Sequence, residues 1–371
     1  MNNVNITCFL GQLLLTPLFD TATERIQNRL RRLVEWEQII EVASNNLITP
    51  ALYTSFNSLD VFHALPEDLQ EYLTEIHLCN AQRNREIKEQ VLKIASLFNK
   101  IEVEPLFLKG VANLFYDIYP DPADRIMCDA DILVPKERLL ECVDILKGEG
   151  YYSFYDESLF YGKSIHYAPL TSDRKQAPVD LHEYSLPIRY ARLYSEEAFW
   201  ASSVAKTIGD TRFRLPSPMN HIKHHIIHAH DHYGVYYIGR YFLRGFYDFA
   251  LLCRKFEDDI NWSLLEASFN QAGLRKIFVS YLSAADKFCG YQDLLRHVEI
   301  NNSERLFLYM MNTQLKYPAL FSLWKLFSYY KQVSLEIATN REKRKEFIKQ
   351  LKSCQFYVRH FNIIRRCFSG H

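Results

Sequence analysis

The chain has 371 residues, enough for two or three folding units that each bury a core. Apolar residues make up 48% and aromatic residues 14%, with only 12 glycines and 13 prolines, which excludes a disordered or fibrous chain. Lys plus Arg balance Asp plus Glu at 44 each, so no global field draws the protein to nucleic acid or an acidic membrane. The 8 cysteines are scattered without a C-x-x-C pair, which argues against a zinc ribbon or a disulfide framework and fits reduced thiols in the cytoplasm.

The amino-terminal apolar patch ends near Phe19 and lacks the positive leader of an export signal. No window supplies the roughly 18 uncharged apolar residues of a membrane-spanning helix, so the chain is expected to be soluble. Across 21–100 apolar residues recur at helical spacing, as in Ile26, Leu30, Leu33 and Val34. Compact apolar runs at 103–108, 130–134 and 178–181 predict strands, with helices over 111–119 and 136–147 between and after the first two. Around 205–215 two alternating stretches flank Gly209-Asp210, the pattern of a hairpin. After Pro218 the helical period returns and runs to about Arg366, with no repeat of fixed length. Three regions are expected: an N-terminal helical region at 1–102, an α/β core at 103–216 and a C-terminal helical domain at 217–371.

The chemistry concentrates in the middle region. In a strand, residues two apart face the same way, so Asp129 and Asp131 are expected to project together. Two adjacent carboxylates repel unless a cation lies between them, and hard oxygen ligands suit Mg²⁺. Upstream, Leu108-Lys109-Gly110 closes a strand and opens a helix, a junction whose N–H groups can receive phosphate with Lys109 as an added charge. Arg125 follows a proline-bearing loop four residues before Asp129, within reach of a triphosphate. Asp180 sits inside the apolar run Pro178-Val179-Asp180-Leu181-His182, where an acid is costly unless paired or bound to metal. Asp117, Asp121 and Asp124 are read as solvated turn residues.

The order Leu-Lys-Gly (108–110), Arg-Ile-Met-Cys-Asp-Ala-Asp-Ile-Leu-Val (125–134) and Val-Asp-Leu-His (179–182) resembles the uncharacterised bacterial nucleotidyltransferase family of the DNA polymerase beta-like superfamily. The likeness extends to helical stretches at 39–52 and 84–101 and to 243–252, with its Arg244 and Asp248, about 240 residues in all. It implies an α+β fold: a polymerase beta-like nucleotidyltransferase core, a small mixed sheet with helices, flanked by helical regions. It also implies that Asp129, Asp131 and Asp180 are catalytic and ligate two Mg²⁺ ions, for which Mn²⁺ can substitute. Lys109, Gly110 and Arg125 would hold a nucleoside triphosphate such as ATP, and an NMP would pass to a hydroxyl or phosphate of a small molecule, sugar, peptide or RNA as pyrophosphate leaves. Two positions depart from the family pattern: Val111 follows the glycine where many superfamily members have serine, and Cys128 replaces the serine before the first aspartate.

Six histidines crowd 221–232, with His221, His225, His228 and His232 on one helical face. The preferred reading packs Ile222, Ile226 and Ile227 inward and turns some histidines toward the cleft, so that His225 and His228, together with His182 of the 178–182 strand, are candidate substrate contacts. Two other readings compete with nucleotidyl transfer. One is a non-catalytic nucleotide-binding or interaction protein of the same fold; the other is a metal-dependent phosphohydrolase built on His230-Asp231. Tyr233, Tyr236, Tyr237, Tyr241 and Tyr247 read as helical core in preference to a stacking surface, and the charged run 341–349 reads as a solvated helix face.

Overall fold

The computed structural model describes residues 3–19, 23–30, 36–160, 164–233, 242–290 and 298–302, with scattered single positions beyond these as far as Arg344. The expectations placed on Tyr236, Tyr237 and Tyr241, and on all of 341–349 except Arg344, lie outside the described residues. The chain forms two compact units, one of residues 1–229 with 242–299 and the other of 230–241 with 300–371. In the second unit, Asn301 and Glu304 exchange two bonds of 3.0 Å, each backbone N–H donating to the other's side chain. No helix among the described residues is long and apolar enough to cross a membrane.

The first unit is α+β. Its sheet has five strands: β1 (Leu106–Phe107), β2 (Ala130–Leu133), β3 (Val179–His182), β4 (Val204–Ile208) and β5 (Thr211–Leu215), in the order β3-β2-β1-β5-β4. Pairings of β2 with β3 and β1 with β5 are parallel, while β1–β2 and β4–β5 are antiparallel. The β4–β5 hairpin turns at Gly209, whose φ of 57° lies in the left-handed region that glycine adopts without steric cost. β1 is shorter than its apolar run. Pro105 has no N–H to contribute to a ladder, and its carbonyl accepts from Arg214 at 2.8 Å. Phe107 carries the core at this point, its ring 4.7 Å from Phe213 and 5.0 Å from Phe115.

Among the described residues the α-helices are α1 (Asn3–Phe19), α2 (Thr23–Leu30), α3 (Trp36–Asn45), α4 (Thr49–Ser58), α5 (Glu67–Asn99), α6 (Lys109–Phe115), α7 (Leu139–Gly148), α8 (Glu196–Ala201), α9 (Pro218–Tyr233), α10 (Leu243–Lys255), α11 (Trp262–Gln271) and α12 (Arg275–Cys289). The amino-terminal apolar patch is α1, with Phe9, Leu10 and Leu13 fully buried. α1 packs on α10 and α12. At the crossing with α12 a β-carbon on Gly11 would lie 2.1 Å from the Phe288 carbonyl oxygen, so only glycine permits that approach.

α5 is 33 residues long and does more than bury an apolar stripe. It also buries Asn80, Asn84 and Gln90. Asn80 donates to the carbonyls of Ala123 and Arg125 at 2.5 and 2.9 Å, and Asn84 to those of Pro122 and Arg125 at 2.7 Å each. Arg83 donates to Met127, and Gln90 to Ala177 at 2.8 Å. These bonds hold an irregular segment and the entry to β3, giving donors to carbonyls that lie outside helix and sheet ladders.

Candidate functional site

The parallel register of β2 and β3 sets Asp131 opposite Asp180 and Leu133 opposite His182. Since successive side chains alternate, Asp131, Asp180 and His182 share one face. Their nearest oxygen and nitrogen atoms lie within 4.8 Å of one another, and among the described residues this is the group with metal-ligand geometry. Asp129 stands one residue before β2 and outside that group, within electrostatic reach of Asp131, Lys109, Arg125 and Arg244.

Asp131 is almost wholly buried and is held by two partners. Lys109 Nζ lies 2.6 Å from its Oδ1, and His182 Nε2 donates to the same oxygen at 2.9 Å. Burial by itself would raise the Asp131 pKa; Lys109 and His182 reverse it and hold the carboxyl far below the usual range. Burial opposes the Lys109 ammonium too, and Asp131 overrides that, so the pKa is raised. Asp180 goes the other way: burial, then the charge on Asp131, push it up to about 6. Burial lowers His182 to about 4, so it is neutral at pH 7, with its Nδ1 buried and without a hydrogen-bond partner. Burial, joined by the charge on Asp131, also raises Asp129.

Lys109 reaches Asp131 from a backbone with φ of 47°, unusual for a residue with a side chain. The next residue, Gly110, lets the chain pass close to the Arg125 segment, because a β-carbon there would lie 2.5 Å from Met127 Sδ and 3.2 Å from Arg125 Nη2. Val111 is fully buried, so the position that lacks a hydroxyl belongs to the core. Arg125 Nη1 pairs with Asp248 Oδ2 at 2.8 Å, both side chains largely shielded. Asp248 Oδ1 accepts from Tyr119 at 3.0 Å, and that hydroxyl accepts from Asn113 at 2.9 Å. Arg244, one turn before Asp248 on α10, donates to the Ile126 carbonyl at 3.0 Å and lies 3.9 Å from Cys128 Sγ.

Asp124 departs from the sequence reading. It is 2% exposed, accepts from Thr54 at 2.5 Å and is pushed up to about 7 by burial. Only Asp117 and Asp121 are solvated turn acids: Asp117 pairs with Lys88 at 3.5 Å, and Asp121 caps the Pro122–Asp124 turn.

The histidine helix backs this site. As expected, Ile222, Ile226 and Ile227 are fully buried. His225 Nε2 lies 2.9 Å from both the Gly245 carbonyl and the Tyr281 hydroxyl, and His228 stacks on His224 at 6.3 Å. His224 donates to the Ser185 carbonyl at 3.0 Å and is within the field of Lys109, His182 and Asp131. His221 is buried with neither ring nitrogen hydrogen-bonded.

His166 went unremarked in the sequence. Its Nδ1 donates to the Tyr167 carbonyl at 2.7 Å, and its ring centre is 5.3 Å from that of His182. That His182 shares a face with Asp180 was readable, since the two are two apart in one strand, whereas its bond to Asp131 depends on the register of β2 on β3.

A family model described as uncharacterised nucleotidyltransferase matches residues 32–290. That span is more than half of the chain and contains the Asp131–Asp180 pair, Lys109 and both arginines. The chain belongs to this nucleotidyltransferase family. None of the curated proteins and no solved structure matches it. The donor set of this nucleotidyltransferase, two carboxylates and an imidazole nitrogen on one face of the paired strands β2 and β3, fits a divalent cation, and the Lys109 ammonium against Asp131 shows that the site already accommodates positive charge.

Proposed function

We propose that this nucleotidyltransferase moves an NMP from a nucleoside triphosphate such as ATP to a hydroxyl or phosphate of its acceptor, a small molecule, sugar, peptide or RNA. Pyrophosphate leaves, and two Mg²⁺ ions, or Mn²⁺ in their place, serve as cofactor. The observation that carries the reading is Asp131 facing Asp180 across paired strands with Lys109 at 2.6 Å. Asp129, Asp131 and Asp180 hold the ions. Bound there, the metal neutralises phosphate charge and makes the acceptor hydroxyl more acidic. Lys109, the Gly110 turn and Arg125 receive the triphosphate, and rigid strands keep the acids in place. His182 positions Asp131 by its bond to Oδ1. His225 and His228 contribute from α9, His225 by anchoring α10 through Gly245.

The test supplies labelled triphosphates, Mg²⁺ and a panel of acceptors and follows pyrophosphate release. Asp131→Asn is expected to cut release by roughly 100-fold or more. Full release by that variant, shown folded by circular dichroism, would sink the assignment.

A further inference from the structure

Past β3 the sheet is continued by the segment 165–170, which pairs antiparallel with the outer edge of that strand at His166–His182 and Leu170–Val179. The Tyr167 N–H donates to the Leu181 carbonyl at 2.8 Å and the Glu183 N–H to that of Ile165 at 2.9 Å, so His166 stands directly opposite His182. Side chains directly opposite share a face, and His166 therefore joins Asp131, Asp180 and His182, within electrostatic reach of Asp180.

Rings lead outward from this point. Phe160 lies 5.8 Å from His166, centre to centre, and Tyr155 5.8 Å from Phe160. Phe160 and His166 are half-buried, while Tyr155 and its neighbour Phe154 are 58% and 79% exposed. Among the described residues no cation lies over Tyr155, Phe160 or His166; the cation–ring contacts of this region fall on Tyr167 and Tyr184. Acids border the rings instead. Asp156 follows Tyr155, and Glu157 and Asp173 accept from Tyr167 and Tyr152. A polynucleotide would bring phosphates against these acids, whereas an uncharged ring meets aromatic faces.

The order across the sheet gives the direction of approach. Lys109 follows β1, the paired acids lie on β2 and β3, and the rings begin past β3. Attacking and leaving oxygens stand in line on opposite sides of the transferred phosphorus, so a triphosphate on the Lys109 side leaves the His166 side to the acceptor. We propose that, in the transfer reaction on which this inference rests, His166, Phe160 and Tyr155 form the acceptor subsite and select an uncharged hydroxyl compound carrying an aromatic ring. The ring stacks on this wall. Its hydroxyl oxygen bonds to the α-phosphorus, the bond from that phosphorus to the bridging oxygen breaks with its electron pair leaving on pyrophosphate, and the hydroxyl proton passes to water.

Calorimetry on the full chain first titrates α,β-methylene-ATP with Mg²⁺ and then, with that analogue saturating, adenosine, N-acetyltyrosinamide, glucose and a short oligoadenylate. Adenosine or N-acetyltyrosinamide is expected to bind roughly tenfold or more tightly than glucose, the worth of one stacked ring, and the tighter of the two tells whether the ring is a base or a phenol. Phe160→Ala is expected to weaken that binding by about tenfold, and Tyr155→Ala, which alters an exposed ring, by roughly threefold. The His166 ring-proton resonance, assigned with His166→Gln, is expected to move upfield as the ligand stacks. Failure of the analogue to bind would strike the nucleotidyl-transfer reading and the acceptor role with it. With the analogue bound, the subsite itself is overturned if neither ring compound outbinds glucose, if both variants keep the parent's affinity, or if the His166 resonance stays in place. An oligoadenylate that binds more tightly than adenosine would assign the rings to RNA and overturn the small acceptor.

Discussion

Lys109 combines two costs, a left-handed backbone and a largely buried ammonium, and both are tolerated because Asp131 needs a cation beside it. Removing that cation leaves a buried carboxylate uncompensated. Lys109→Met is therefore expected to lose about 3 kcal/mol in urea unfolding, and millimolar Mg²⁺, but not the same concentration of Na⁺, is expected to restore part of it. A variant as stable as the parent would show that Lys109 does not neutralise Asp131. Local spacing singled out Lys109, Asp131 and Asp180 one by one, but alternation paired Asp131 with Asp129, which stands one residue before β2, and only the register of β2 on β3 sets Asp131 against Asp180. Burial of Asp124 was not legible. Its neighbours Asp121 and Pro122 have turn composition, and only the distant Thr54 and Tyr247 turn that position inward.

Among the elements, α5 shows where periodicity informs and where it misleads. The apolar stripe announces the helix, but the same reasoning assigns polar residues to solvent, and Asn80, Asn84 and Gln90 are buried. Their partners are carbonyls of an irregular segment that no helical pattern can point to. Asn84→Ala takes the side-chain donor from the Pro122 carbonyl, leaves the Arg125 carbonyl with Asn80 alone, and is expected to cost about 2 kcal/mol. Because Arg125 belongs to that segment, triphosphate KM should rise more than kcat falls; steady-state kinetics beside urea unfolding checks both. The hairpin β4–β5 and the strands bearing the acids followed the sequence closely, whereas β1 was overextended because Pro105 interrupts its ladder.

Across the first unit, buried titratable groups pull stability in opposite directions with pH. His182 and His224, lowered by burial to about 4 and about 3, stay neutral in the fold while the unfolded chain takes up protons below pH 6.5. Going from pH 7 to 5 thus costs on the order of 2 kcal/mol for each. Asp124, raised to about 7, binds its proton in the fold well before the unfolded chain does, so its contribution grows over the same interval by roughly 2 to 3 kcal/mol and is lost as pH rises through 7. His221 and His225 add to the first effect, Asp129 and Asp180 to the second. Asp124→Asn is expected to show a Tm that falls more steeply on acidification from pH 7 to 5 than the parent's. Thermal unfolding at the two pH values decides; parallel behaviour would mean that Asp124 carries no proton in the fold.

The apolar runs marked the strands and the family resemblance implied the α+β class, but the packing of α1 on α10 and α12 was legible from neither, because local periodicity does not say which distant helix covers which. That packing bears on how the unit comes into being. The glycine crossing at Gly11 cannot close until α12 has left the ribosome, so α1, made well before α12, waits for its partner. A chain trimmed to residues 32–290 would retain the candidate site residues, yet it would leave the α1-facing surfaces of α10 and α12 bare to self-association.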